Sequence, residues 1–419
     1  MPGLTLSERN TSNEPGSPNG QPAPGGRPLE LVPRMKWQGY ANRHVEQRRE
    51  WLAEKTGSRL IHIGAHSISS EEMRGNIENP IGAAQTPLGL AGPLLVNGTH
   101  ANGLFYVPLA STEGALVRSY ERGMVALTRA GGATARLHID ENRVSPVFLF
   151  DSVSEAYDFT QDLPADFETI RSEAESTTHH GKLRRLECQP VGRKVIVSFC
   201  YFTADAQGMN MIVKATEQAC RWIVDHTRAR RFYVFSGLDS EKRPSGALLA
   251  GGKGKKVTAG ALLPRETVKS HLHVNPEELV EMWQHTILGH LQANAIGYNG
   301  HYANGLAAIF IACGQDVANI VNSAVGITNF EVDERGSLYA SVTIPSLCVA
   351  TVGGGTSLGT SRECLEILGC AGSGHAAKFA EIIAATLLAG ELSMGAAIAS
   401  GEFVAAHERY GRNKPPKSV

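Results

Sequence analysis

"GRKVIVSFCYFTADAQGMNMIVKATEQACRWIVDHT", residues 192–227, decides how the rest of the chain is read. Residues 192–202 form a short run rich in β-branched and aromatic side chains and read as a strand. Residues 209–227 read as a helix. Between them lies "DAQG", which brings a carboxylate, Asp205, and a glycine, Gly208, that permits close backbone approach. Amides at the start of the following helix suit an anionic ligand. Here and elsewhere, no strand is followed by G-x-G-x-x-G, so a Rossmann dinucleotide domain finds no support.

Working outward, "VSPVFLF" (144–150) and "RRFYVFSG" (230–237) are strand-like, while residues 152–176 are helix-like. Residues 144–235 therefore read as a small α+β unit inserted into a larger one, whose two parts are 76–143 and 236–412. In the larger unit, "LLVNGTHANGLFYVPL" (94–109) reads as two strands around a turn. "STEGALVRSYERGMVALTRAGG" (111–132) reads as a helix capped by Ser111 or Thr112, with Leu116 and Tyr120 on one face. Residues 373–411 are strongly helical, with expected breaks at Gly390–Glu391 and near Gly401. A helical region over 34–75, with structure starting near Trp37, places Val45, Trp51 and Leu52 on helical spacing before a stop at Gly57. Residues 1–33, rich in Pro, Gly, Ser and Asn, read as a disordered tail, and 413–419 as a flexible end.

Apolar residues make up 42% of the 419, enough for a substantial core. Forty basic side chains face 41 acidic ones, so no net field draws nucleic acid or an anionic membrane. Seven scattered cysteines in mostly apolar settings argue for a reducing compartment rather than a disulfide scaffold, and their spacing suggests no structural metal. With no signal-like start and no uninterrupted apolar run of membrane-spanning length, a soluble, cytoplasmic protein is expected.

Four ionisable residues stand where local pattern does not ask for them. Glu113 opens the helix in "LASTEGAL", where a favourable carboxylate in a first turn is the plain alternative. Asp316 interrupts the apolar "IFIACGQDVANIV", and a buried aspartate must be paired, hydrogen-bonded or functional. His407 lies in the final helix, and Lys242 in the charged loop "SGLDSEKRP" (236–244). "TVGGGTSLG" (351–359) could cradle a phosphate or be a tight strand connection.

Together these pieces resemble the hydroxymethylglutaryl-CoA (HMG-CoA) reductases. The resemblance runs collinearly through "ENPIG", "PLGLAGPL", "PLASTEGALVRS", "DAQGMNM", "SGLDSEKRP", "YNGHYANGLAAIFIACGQD", "TVGGGTSLG" and "VAAHERYG", and covers about residues 40–412. "GLAGPL" and the lysine loop are similar to the class I form of the family. The resemblance implies an α+β fold: a large mixed α/β domain with an inserted small ferredoxin-like domain for NADPH, NADH remaining open as the cofactor. It also implies a homodimer, or a tetramer, with active sites at the subunit boundary. The reaction it implies is two successive reductions of a thioester, through hemithioacetal and aldehyde, to an alcohol and free CoA.

Carried over residue by residue, the resemblance gives Lys242 the thioester carbonyl and Asp316 a network with Lys242 and Glu113. It gives Glu113 proton donation to the aldehyde, and His407 protonation of the departing thiolate. For the cofactor it implies Asp205, Gly208, Met209 and Asn210, then Gly353, Gly354, Gly355 and Thr356. Thr178, His179, His180 and Lys182 stand where the family grips the 2′-phosphate. His301 and Asn304 match active-site neighbours, and Arg143, Ser236 and Arg243 fill the places that hold the acyl carboxylate. Departures concentrate there: Arg243 stands for an expected lysine, Glu241 for an expected aspartate, and Gln284 lies nearest the place of a further missing lysine. Arginine is not a neutral exchange for lysine. HMG-CoA is the leading substrate, with a differently shaped acyl-CoA, or a non-catalytic ligand-binding homologue, as the alternatives.

Overall fold

The structure, a computed structural model, describes residues 30–35 and 39–410, without the side chains at 406, 407, 409 and 410. Trp37, nearly all of the tail expected over 1–33, and the expected flexible end lie outside the described residues.

The chain divides into two compact units between Ala84 and Gln85. In the first, the helix Asn42–Thr56 stops at Gly57, whose φ of 72° turns the chain and whose N–H donates to the Ala53 carbonyl. The helix is so charged that one of its two buried residues is Arg48, beside Val45. Burial of the guanidinium is tolerated because it donates to the carbonyls of Pro33 (3.1 Å), Gly39 (2.6 Å) and Pro80 (2.8 Å).

In the second unit, β1 (Leu88–Asn97) and β2 (Asn102–Ala110) form the expected hairpin. The remaining strands are β3 (Thr134–Val144), β4 (Val147–Leu149), β5 (Lys182–Val191), β6 (Lys194–Phe202), β7 (Arg231–Tyr233), β8 (Gly254–Leu263), β9 (Ile327–Val332) and β10 (Leu338–Leu347). They build an eight-stranded sheet in the order β7-β4-β6-β3-β8-β10-β9, with β5 on β6, and their pairings are antiparallel.

Two hydrophobic cores lie along this sheet. The larger gathers Tyr120, Leu306 and Ile344 around the helix Ala376–Ala399. The smaller spans Val144 to Ala229 and packs the helices Val153–Asp162, Phe167–Glu175 and Met209–His226 on β4, β5 and β6. The sheet runs unbroken between them, because β3 pairs with β8 on one side and with β6 on the other, Arg143 lying opposite Cys200.

Three local expectations are corrected. The helix after β2 spans Leu116–Arg129 and starts at Ala115, with φ of 71°, so neither Ser111 nor Thr112 is its N-cap; the Ser111 hydroxyl accepts from the Glu113 N–H at 2.9 Å instead. The Ala376–Ala399 helix passes through Gly390 without a break. The missing side chain there makes room for the Tyr120 ring, which a Cβ at Gly390 would meet at 2.5 Å. Finally, the helix Tyr302–Ala312 ends before Asp316, which is not buried.

Candidate active site

The loop after β7 is held at three points. Ser236 donates through N–H and hydroxyl to the Ser145 carbonyl (3.0 and 2.7 Å). The Asn322 side chain clasps the crest, donating to the Ser240 carbonyl at 2.5 Å and accepting from the Lys242 N–H at 2.9 Å. Lys242 itself has φ of 53°, a conformation that a long side chain adopts only when its surroundings impose it. Its Nζ meets Asp316 Oδ2 at 2.7 Å. Asp316 is oriented by its other oxygen, which accepts from the Ala318 N–H at 3.1 Å and caps the turn Val317–Asn319. The hydrogen bond from the Lys242 ammonium to Asp316 raises the Lys242 pKa above the ordinary lysine value against the opposing effect of burial.

Glu241 turns the other way. Its Oε2 lies 2.5 Å from Lys253 Nζ, and the Lys253 side chain is 0% exposed. Lys253 also donates to the Arg143 carbonyl and to Met209 Sδ, both at 3.3 Å. Arg143 keeps a buried Nε without a partner among the described residues. Arg243 is exposed.

The two glycine motifs are joined. The Asp205 carbonyl accepts from the N–H groups of Thr351 (2.9 Å) and Val352 (3.3 Å), while its carboxylate accepts from those of Gly374 (2.7 Å) and Ala376 (3.0 Å). Gly208, with φ of 78°, starts the Met209–His226 helix with no side-chain cap, leaving first-turn amides at Met209 and Asn210 for another acceptor. A Cβ at Gly208 would strike Thr203 at 2.7 Å. Gly353 and Gly354 have φ of 85° and 58°, and a Cβ on either would meet nothing within 4 Å; the Thr356 hydroxyl closes this turn on the Gly353 carbonyl at 2.8 Å. Gly355 packs backbone to backbone on Gly314, two residues before Asp316.

The Met211 methyl lies within reach of both Gly208 and Gly181, which brings the Thr178–Lys182 turn beside the helix start. There the Thr178 hydroxyl accepts from the N–H groups of His180 (3.2 Å) and Gly181 (3.1 Å), His179 and His180 are exposed, and Lys182 pairs with Glu175 at 2.8 Å. An uncapped helix start, an open glycine turn and an exposed basic turn fit a dinucleotide phosphate chain.

Glu113 lies elsewhere, in the turn ahead of the Leu116–Arg129 helix, with Asn304 Nδ2 at 3.5 Å from its Oε1. It lines a cavity of about 830 Å³ with Tyr120, Arg122, His301, Asn304 and Phe403. His301 is fixed by Glu391, which accepts from its Nδ1 (2.8 Å) and N–H (2.9 Å), the Gly300 N–H (2.7 Å) and the Thr328 hydroxyl (2.7 Å). Burial alone would raise the Glu391 pKa, but these donors hold it below the ordinary value and keep the carboxylate charged. No described contact links Glu113 to Lys242 or Asp316. Gln284 is exposed on the helix Pro276–Gln292, away from these groups' described contacts. His407 lies in the helix Phe403–Tyr410, and its side chain is outside the described residues.

The family model described as Hydroxymethylglutaryl-coenzyme A reductase matches residues 44–412. The chain belongs to the HMG-CoA reductase family. It is 44% identical over 371 residues to the 3-hydroxy-3-methylglutaryl-coenzyme A reductase of Methanothermobacter thermautotrophicus, covering 88% of this chain and 93% of that one. The Methanocaldococcus jannaschii reductase is also 44% identical, with the same coverage. Among solved structures, the class II reductase of Streptococcus pneumoniae, described as bound to NADPH in open conformations, superposes with a TM-score of 0.66 over 87% of this chain and 100% of that one, at 20% identity. That match corrects the expected class I likeness: the solved reductases whose fold the chain shares include a class II enzyme, and the chain is assigned to the mixed α/β HMG-CoA reductase fold without the class I label.

Three residues that the structure joins to the candidate site residues escaped sequence reasoning. Lys253 is a lysine between glycines in "GGKGKK", Asn322 the second of two asparagines in "NIVNSA", and Glu391 part of the pair read as a helix break.

Proposed function

We propose that the protein catalyses the two-step, NADPH-dependent reduction of the HMG-CoA thioester to mevalonate and free CoA. One observation carries the reading: the 2.7 Å Lys242–Asp316 pair stands on a clasped loop, and the Asp316 segment packs through Gly314 on the glycine turn that meets Asp205. When bound, NADPH supplies the reducing equivalents. Lys242 polarises the thioester carbonyl and stabilises charge developing on its oxygen, and Asp316 keeps that lysine protonated and aimed. Glu113 gives a proton to the aldehyde oxygen, oriented by Asn304, and His407 protonates the CoA thiolate. Arg143, with its unpartnered Nε, and Arg243 hold the acyl carboxylate, and Ser236 assists by turning its hydroxyl proton from the Ser145 carbonyl to that carboxylate.

Asp205, Gly208, Met209, Asn210, Gly353, Gly354, Gly355 and Thr356 hold the dinucleotide, with Thr178, His179, His180 and Lys182 at its 2′-phosphate. The strand order β7-β4-β6-β5, with helices between β4 and β5 and between β6 and β7, supports a ferredoxin-like cofactor unit over 144–235. Because no contact among the described residues joins Glu113 to Lys242, a homodimer that completes the site, singly or paired into a tetramer, belongs to this reading, as does a cytoplasmic location. A reductase of another acyl-CoA is the second reading, favoured by Glu241 turning inward to Lys253 and by the exposed Gln284.

Loss of NADPH absorbance tests the proposal, with HMG-CoA compared against acyl-CoAs lacking the distal carboxylate and NADH run in parallel. Turnover of HMG-CoA in clear preference to the others is expected. Preference for a carboxylate-free acyl-CoA would shift the reading to the second one. No oxidation by folded, NADPH-binding protein would sink both.

A further inference from the structure

We propose that Lys253 is a positioning residue that couples the catalytic loop to the dinucleotide site; this rests on the functional reading above. Its ammonium, 0% exposed, has three N–H donors and three neighbours, each from a different part of the site. Glu241, at 2.5 Å, precedes Lys242. The Arg143 carbonyl, at 3.3 Å, is at the end of β3. Met209 Sδ, also at 3.3 Å, belongs to the first turn of the helix whose amides face the dinucleotide phosphates.

A buried cation must keep its partners. The ammonium therefore cannot follow one of the three without moving against the others. The thioether is the weakest acceptor of the set, so the contact to the dinucleotide helix is the one most easily altered. Dinucleotide phosphate held at the amides of Met209 and Asn210 sets the position of that turn, and Lys253 passes it to Glu241 and so to the backbone of Lys242. The opposite direction follows by linkage: substrate seated against Lys242 and Arg143 favours the dinucleotide-bound arrangement.

Binding rather than turnover tests this. The Kd of HMG-CoA is measured with and without saturating NADP+, which leaves the thioester unreduced, on the full-length protein and on Lys253→Met/Glu241→Gln. The double variant removes both charges together, so no unpaired ion is left in the interior. In the wild type NADP+ is expected to change the HMG-CoA Kd about fivefold or more. In the double variant the change is expected to fall below about twofold, with affinity for NADP+ alone altered by less than about threefold. A wild type with no such change, or a double variant that retains it, overturns the coupling and leaves the functional reading standing. A wild type that binds neither ligand overturns both. Amide hydrogen exchange on the wild type alone gives a second readout independent of the variant's folding: NADP+ without substrate should slow exchange in residues 238–243, and an unchanged loop overturns the proposal.

Discussion

Lys253 and Lys242 meet their carboxylates at 2.5 and 2.7 Å through consecutive residues of one loop, Glu241 for the first and Lys242 itself for the second. The side chains of the first pair are 0% and 18% exposed, and those of the second 45% and 41%. Length does not separate the two pairs, but solvent does. An interior pair left with one partner strands a charge in a medium that cannot solvate it, whereas a half-exposed pair exchanges its partner for water at little cost. The loop thus anchors itself with one charge and presents the other to solvent, the one that the proposed reaction would use at the thioester carbonyl.

The largest effect expected from breaking this comparison is on folding. Glu241→Gln should lower stability in urea by about 3–5 kcal/mol, because it takes away the counterion of the buried Lys253 side chain. Lys242→Met should change stability by no more than about 1 kcal/mol, yet lower kcat by about 10² to 10³ through loss of carbonyl stabilisation. Both are measured at one protein concentration, with urea midpoints beside steady-state rates. If Lys242→Met were the destabilising change and Glu241→Gln the neutral one, burial would not be what divides the pairs.

A smaller effect sharpens the exposed half. The hydrogen bond that Lys242 donates to Asp316 raises the Lys242 pKa, so the stabilising contribution of this pair is fully present below the ordinary lysine value and is lost as pH rises through the raised one. Asp316→Asn keeps an acceptor for the Ala318 N–H but removes the charge, while the burial that lowers the lysine pKa remains. The alkaline limb of the kcat profile should therefore move to lower pH. An alkaline limb that stays in place would detach Lys242 from the rate.

What the sequence disclosed follows the same division between local and distant causes. β6 and the helix Met209–His226 were legible because apolar spacing and a glycine turn state them within one stretch. β5 was not: "KLRRLECQPV" alternates charges at its partly solvated face, with Leu183 its buried anchor, and resembles a loop until β6 lies beside it. Asp316 read as a charge inside an apolar helix because Gly314, a local stop signal two residues past Ala312 with φ of 64°, was passed over, and nothing local announces that the chain then turns toward Lys242. Lys253 and Glu391 were missed for a stronger reason. Whether a charged residue is buried depends on partners brought by the fold, here Glu241 and Met209 for the lysine, and His301 and Thr328 for the glutamate.

Glycine offers the finest version of the packed-against-available contrast, and the smallest effect. Gly314 and Gly354 both have positive φ, 64° and 58°, so alanine strains the backbone at either place. At Gly314 the added Cβ would lie 2.3 Å from the Gly355 carbonyl oxygen, so the two loops must part. At Gly354 it would meet nothing within 4 Å and would project into the open side of the turn. Gly354→Ala should then lose only about 1 kcal/mol of stability, the backbone term alone, while weakening NADP+ binding measured by titration and leaving HMG-CoA binding without NADP+ unchanged. Gly314→Ala should lose more stability, since a backbone collision is added to the same strain. Unaltered NADP+ affinity in Gly354→Ala would mean that the open side of the turn does not face the dinucleotide, and the empty space beside it would need another occupant.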